Sequence, residues 1–141
     1  MKTEQQFKDR LRSSGERVTS PRLAMFRILT RNAPVSMPKL IAKAQQDSVD
    51  TVTVYRTMDL FRKLELVQEV GLGRNRLFEL SDDYHAHHHH LTCAQCGTIF
   101  DFDSEVIEND LNRISEQLGF RIRSHQLEAT GLCANCQIAD K

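Results

Sequence analysis

The sequence contains no cysteine outside two CxxC pairs, no apolar run near the roughly 20 residues of a membrane span, and no net charge. Each absence excludes something. Without a long apolar run there is no membrane-spanning segment, and the opening Met1-Lys2-Thr3-Glu4-Gln5-Gln6 lacks the apolar core of a signal peptide. A cytoplasmic protein is therefore expected, and in that reducing compartment paired cysteines serve as metal ligands more readily than as disulfides. No internal repeat is present, and no low-complexity tract besides a short histidine run. A chain of 141 residues can build one or two small cores but not three. The zero net charge conceals a division: residues 1–82 carry 15 Lys/Arg against 10 Asp/Glu, whereas residues 83–141 carry 4 against 9. A basic half joined to an acidic half suits a polyanion binder coupled to a cation binder.

The ligand-bearing residues are concentrated in one stretch, His87-His88-His89-His90-Leu91-Thr92-Cys93-Ala94-Gln95-Cys96. If it is extended, alternate side chains face opposite ways, so His87 and His89 share one side and His88 and His90 the other. One strand can then feed two metal sites. Cys133-Ala134-Asn135-Cys136 matches the first CxxC, and Cys93, Cys96, Cys133 and Cys136 together supply the four thiolates of a closed tetrahedral Zn2+ site that ties the start of a domain to its end. Redox-active dithiols are the alternative use of such pairs.

Along the chain, Phe7 and Leu11 mark a short helix over residues 4–13. Ser20-Pro21 opens a second helix carrying Leu23, Phe26, Ile28 and Leu29, and Ser36 with Pro38 opens a third. Asp50 or Thr51 caps a fourth, in which Val54, Met58 and Phe61 form the buried stripe and Thr53, Arg56 and Thr57 a polar face. Residues 66–70 and 76–80 flank a glycine-containing loop and read as a hairpin. Helices followed by a hairpin make a winged helix-turn-helix. Residues 81–86 lack periodicity and are expected to form a hinge. Beyond them, a strand at residues 98–102, a helix from Ser104 to about Leu118 and a strand over residues 120–128 complete a small α+β domain.

The residues Thr53-Val54-Tyr55-Arg56, the run His87–Cys96 with Gly97, and Gly131-x-Cys133-x-x-Cys136 resemble, in order and spacing, the ferric uptake regulator family. The resemblance spans nearly the whole chain. It implies an α+β protein: a winged-helix DNA-binding domain at residues 1–80, a hinge at 81–86 and a metal-binding dimerisation domain at 87–141. It also implies that Glu108 and His125 complete a second metal site with His87 and His89, and that Glu79 and Asp101 join His88 and His90 in a hinge site. Zn2+ is the expected structural ion, and Fe2+, Zn2+ or Mn2+ the regulatory one. By the same resemblance Tyr55 meets thymine methyl groups and Arg56 phosphate or guanine acceptors; Thr53 and Thr57 stand within reach of phosphates, and Arg17, Arg22, Lys8, Arg10 and Arg12 add non-specific attraction.

Two departures leave the sensed metal open. Residues 32–35 hold no histidine where iron- and peroxide-sensing members commonly place one, and no cysteine stands at the wing strand as in zinc-sensing members. Gln68, Glu69, Asp83 and His85 are the candidates to fill that position. The expectation is a cytoplasmic homodimeric repressor of metal-homeostasis genes that binds a palindromic operator in double-stranded DNA when metal-loaded, and not an enzyme. The alternatives are a peroxide-responsive regulator of the same fold, in which Fe2+-catalysed oxidation of His88 or His90 releases DNA, or a metal-trafficking or hydrolytic zinc protein. No general base stands out beside an open coordination position to favour hydrolysis.

Overall fold

A computed structural model describes residues 3–32, 34–71 and 76–139, and the chain divides into two compact units, Met1–Ala86 and His87–Lys141. Most of the loop expected between the wing strands, residues 72–75, lies outside the described residues.

The first unit holds α1 (Glu4–Ser13), α2 (Ser20–Asn32), β1 (Val35–Ser36), α3 (Met37–Gln46), α4 (Thr51–Lys63), β2 (Val67–Val70) and β3 (Leu77–Leu80). Helix α1 starts at a reciprocal capping box in which Thr3 and Gln6 satisfy each other's backbone N–H groups. Helix α4 starts at Asp50, whose carboxylate accepts from the Thr53 N–H at 3.0 Å and the Thr53 hydroxyl at 2.6 Å. These bonds, the hydroxyl's first, hold the Asp50 carboxyl below its ordinary value. The buried stripe of α4 is Val54, Thr57, Met58 and Phe61, at i, i+3, i+4 and i+7. It packs into a core whose centre is aromatic: Phe7 stacks on Phe26 at 4.3 Å between centroids and meets the edge of Phe61 at 5.3 Å. Leu11, Met25, Leu29, Leu40 and Leu66 fill the space around them, each large side chain contributing about 1.5–3 kcal/mol on burial.

Strands β1, β3 and β2 form one antiparallel sheet in that order, with Gln68 opposite Glu79. The two residues of β1, at the point where the third helix was expected to open, pair with Phe78 and Leu77, a contact set by distant residues rather than local pattern. Residues 81–86, read as a hinge, are bound into this unit by several contacts. Tyr84 is buried and meets Phe26 edge-on at 5.5 Å, the Tyr84 N–H donates to the Ser81 carbonyl at 2.9 Å, and His85 Nε2 is hydrogen-bonded to the Leu80 carbonyl.

The second unit holds β4 (His89–Cys93), β5 (Ile99–Phe102), α5 (Glu105–Gln117), β6 (Glu128–Gly131) and α6 (Ala134–Ala139). Its sheet runs β5-β4-β6, with β4 antiparallel to β5 and parallel to β6. Two expectations change here, and one element is added. His87 and His88 precede the strand rather than lie in it; residues 120–127 make no strand within the chain, only Glu128 of the expected segment joining β6; and a short helix, α6, carries the last cysteine. No helix among the described residues is long and apolar enough to cross a membrane.

Candidate metal centres and DNA face

The two CxxC pairs converge because β4 ends at Cys93, the turn through Gly97 brings Cys96 back, and β6, lying parallel to β4, delivers Cys133 and the start of α6 to the same end. Cys96 Sγ and Cys133 Sγ are 3.8 Å apart, and all four sulfurs lie within 4.8 Å of one another. Four thiolates at about 2.3 Å from one Zn2+ sit about 3.8 Å apart, so the donor set fits that ion. The charges agree. The backbone N–H of Cys133, 3.4 Å from Cys93 Sγ, leads the contacts that hold the Cys93 thiol down to about 6, and the Thr98 hydroxyl leads those that lower Cys96. Cys136 is pushed up to about 12, chiefly by the neighbouring Cys133 sulfur. Sulfurs this close repel as anions, and a cation is what allows all four to ionise.

On one side of the histidine run, His87, His89, Glu108 and His125 meet. Glu108 Oε1 lies 3.0 Å from Nε2 of both His89 and His125 and 3.3 Å from His87 Nε2, and the His87 and His125 Nε2 atoms are 3.0 Å apart. Three ring nitrogens aimed at one another and at one oxygen are poorly served by protons alone and match the separations of about 3.3 Å around a tetrahedral ion bound at about 2.0 Å. Helix α5 positions Glu108 one turn in from its Ser104 cap. Burial pushes the Glu108 carboxyl up, but His125 and the hydrogen bonds from His89 and His125 outweigh it and hold it below its ordinary value. His89 Nδ1 is buried without a hydrogen-bond partner among the described residues.

On the other side, the rings of His88 and His90 lie 4.6 Å apart, and His90 Nε2 is 3.6 Å from the carboxylate of Asp101, its partner across β4 and β5. Glu79, expected beside them, stands on β3 of the first unit, 1% exposed, and accepts from Gln68 Nε2 at 2.6 Å. Of the residues considered as substitute ligands, Gln68 is thus bonded to Glu79, Glu69 is paired with Arg62 at 2.8 Å and Arg76 at 3.0 Å, and His85 is bonded to the Leu80 and Ala86 carbonyls.

Of the residues expected to touch DNA, Tyr55 and Arg56 are exposed on α4 and Arg17 is exposed before α2. Thr53 is engaged as part of the Asp50 cap. Two expectations are corrected. Thr57 is buried, because it lies one turn from Val54 and Phe61 on the core side of α4. The Arg22 guanidinium is bound to Glu16 at 3.0 Å and to the Arg17 carbonyl, so it braces the loop before α2. Lys8 and Arg12 are similarly paired with Glu4 and Asp9. An exposed Val52, three residues before Tyr55, was not expected from the sequence; the spacing i, i+3 was its only signal.

A winged-helix unit followed by a unit whose interior is built from cysteine and histidine ligands defines a DNA-binding fold joined to a metal-binding module. The model of the ferric uptake regulator family matches residues 13–130. The chain belongs to that family, whose members are metal-responsive regulators. It is 35% identical to the ferric uptake regulation protein of Legionella pneumophila over 143 residues, covering 97% of this chain and 100% of the relative. It is 31% identical to that of Campylobacter jejuni over 138 residues, covering 94% and 87%. Among solved structures it is similar to the Vibrio cholerae ferric uptake regulator (27% identity, TM-score 0.70, covering 90% of this chain and 99% of that one). It is also similar to the Pseudomonas aeruginosa ferric uptake regulator with manganese (26% identity, TM-score 0.76, covering 90% and 97%).

Proposed function

We propose that the protein is a cytoplasmic, homodimeric repressor that binds a palindromic DNA site when loaded with a regulatory divalent metal, Fe2+ or Zn2+ with Mn2+ also accepted, and that it is not an enzyme. The observation that carries the reading is the pairing, in one chain, of an exposed Tyr55-Arg56 pair on α4 with two convergent donor clusters in the second unit. In helix-turn-helix proteins the N-terminal part of the recognition helix meets base edges. Tyr55 offers an apolar ring to thymine methyl groups and Arg56 a fork to guanine or phosphate oxygens.

Cys93, Cys96, Cys133 and Cys136 hold the structural Zn2+. His87, His89, Glu108 and His125 hold a second ion. The regulatory site takes His88, His90 and Asp101 of the second unit. When bound there, the ion would offset the Asp101 charge and hold the two imidazoles together, and the chain's own contribution is to carry His90 and Asp101 on the paired strands β4 and β5 with His88 just before β4.

Dimerisation through the second unit follows from its surface. Helix α5 buries no residue among those described, and Val106, Ile114, Leu118 and Phe120 are exposed. A second copy covers that surface.

The test is DNA binding by demetallated protein titrated anaerobically with Zn2+, Fe2+ and Mn2+, with metal content measured in parallel. Affinity should rise steeply with one or more of these ions, and Arg56→Ala should abolish specific binding while the dimer persists. Binding indifferent to every ion contradicts the regulatory reading. Loss of DNA binding on peroxide treatment of the Fe2+ form, with oxygen added to His88 or His90, would support the peroxide-responsive alternative.

A further inference from the structure

The first turns of α4 present an unusual side chain to solvent. Val52 is 57% exposed and Tyr55 49% exposed, while Val54, Thr57 and Met58 turn into the core. Residues three and four apart on a helix adjoin, so Val52, Tyr55 and Arg56 make one outward patch. The neighbouring hydroxyls are already engaged: Thr53 donates to Asp50 at 2.6 Å, and Thr51 accepts from Gln45 Nε2 at 3.5 Å. A β-branched aliphatic residue in water adds nothing to the core and lowers helix propensity, and the first turn of a helix favours acidic or capping residues. Val52 gains free energy only when a partner covers it. The patch lies at the N-terminal end of the helix that the winged fold would direct at a major groove, where the apolar feature a base pair displays is the thymine 5-methyl group.

We propose that Val52 is a base-reading residue, which with Tyr55 forms an apolar pad selecting a thymine by its 5-methyl group. This rests on the DNA-binding reading above and extends it to a residue and a base. The flanking Arg56 guanidinium, with no hydrogen-bond or ion-pair partner among the described residues, supplies the adjacent polar contact.

The experiment separates the methyl group from everything else in the base pair. A duplex is enriched from a random library by the metal-loaded full-length protein, and each thymine is then replaced singly by deoxyuridine, which removes the 5-methyl alone. For the wild type, at least one replacement per half-site should weaken binding about fourfold, the effect of one methylene-sized apolar group lost from a contact. In Val52→Ala that position should become nearly indifferent to the replacement, while other thymines keep their effects; Val52→Thr, equal in shape but carrying a hydroxyl, should lose most of the discrimination too. Val52 lies outside the core, so both variants should keep the thermal midpoint and dimer content of the wild type. An undiminished uracil effect in Val52→Ala, or a wild type indifferent to every thymine methyl, overturns the assignment and points to a protein surface as the occupant of the patch. Failure to enrich any duplex overturns the DNA-binding reading itself, an outcome distinguishable from enrichment without coupling to residue 52.

Discussion

The two units are stabilised by different means. In the first, Phe7, Phe26, Phe61, Met25, Met58 and the surrounding leucines form a continuous buried core. In the second, the buried residues among those described are Cys93, Cys136, His89 and His90, and every one of them is a candidate metal ligand. Its large apolar side chains, Phe100, Val106, Ile114, Leu118 and Phe120 among them, face outward. A unit of this size with its apolar residues on the surface has little core of its own, and an ion and a partner are expected to offset the entropy of folding. The first unit carries its own apolar core, whereas the buried positions of the second are occupied by candidate ligands.

The contrast can be broken at several points. The largest effect is expected from Cys96→Ser, which should remove zinc from the protein and, because structural zinc contributes on the order of 10 kcal/mol in small domains, unfold the second unit; circular dichroism should still report the helices of the first. Met58→Ala is the counterpart in the other unit. It should cost about 2–5 kcal/mol there through lost burial and the cavity left behind, read as a lower denaturant midpoint with zinc content unchanged. Leu118→Asp places a charge on the outward face of α5 and should weaken dimerisation about tenfold or more by sedimentation, without lowering the stability of the first unit. If the dimer survives unchanged, α5 does not carry the interface.

The smallest expected change concerns helix ends. Helices α1, α3, α4 and α5 all finish with the same pair of backbone hydrogen bonds, and the residue in the left-handed region is Gly15 or Gly119 in two of them but Ser48 (φ 58) and Glu65 (φ 57) in the others. Glu65→Gly should therefore raise the midpoint of the first unit by about 1 kcal/mol, the cost of a side chain in that conformation. A drop would show that Glu65 makes a compensating interaction.

Helix α4 was legible because its signals are local: Asp50 caps it, and Val54, Met58 and Phe61 recur at helical spacing. The ligand clusters were legible because alternation and CxxC spacing are local too, and the structure brings His87 to His89 and His88 to His90 even though the strand itself begins only at His89. What escaped depends on distant partners. Strand β1 exists because Val35 meets Phe78. Thr57 is polar by type yet buried by its angle on α4, and Arg22 is paired with Glu16. Residues 120–127 alternate like a strand, yet the strand itself begins only at Glu128, where the parallel register with β4 is set.

Hydrogen exchange on the two units with and without a strong zinc chelator tests most directly the claim that ligands, rather than apolar burial, hold the second unit together. On chelation, amides of β4, β5 and β6 should lose their protection while those of α2, α3 and α4 keep theirs. Protection that persists in the sheet of the second unit after the metal is gone, or that falls equally in both units, would contradict it.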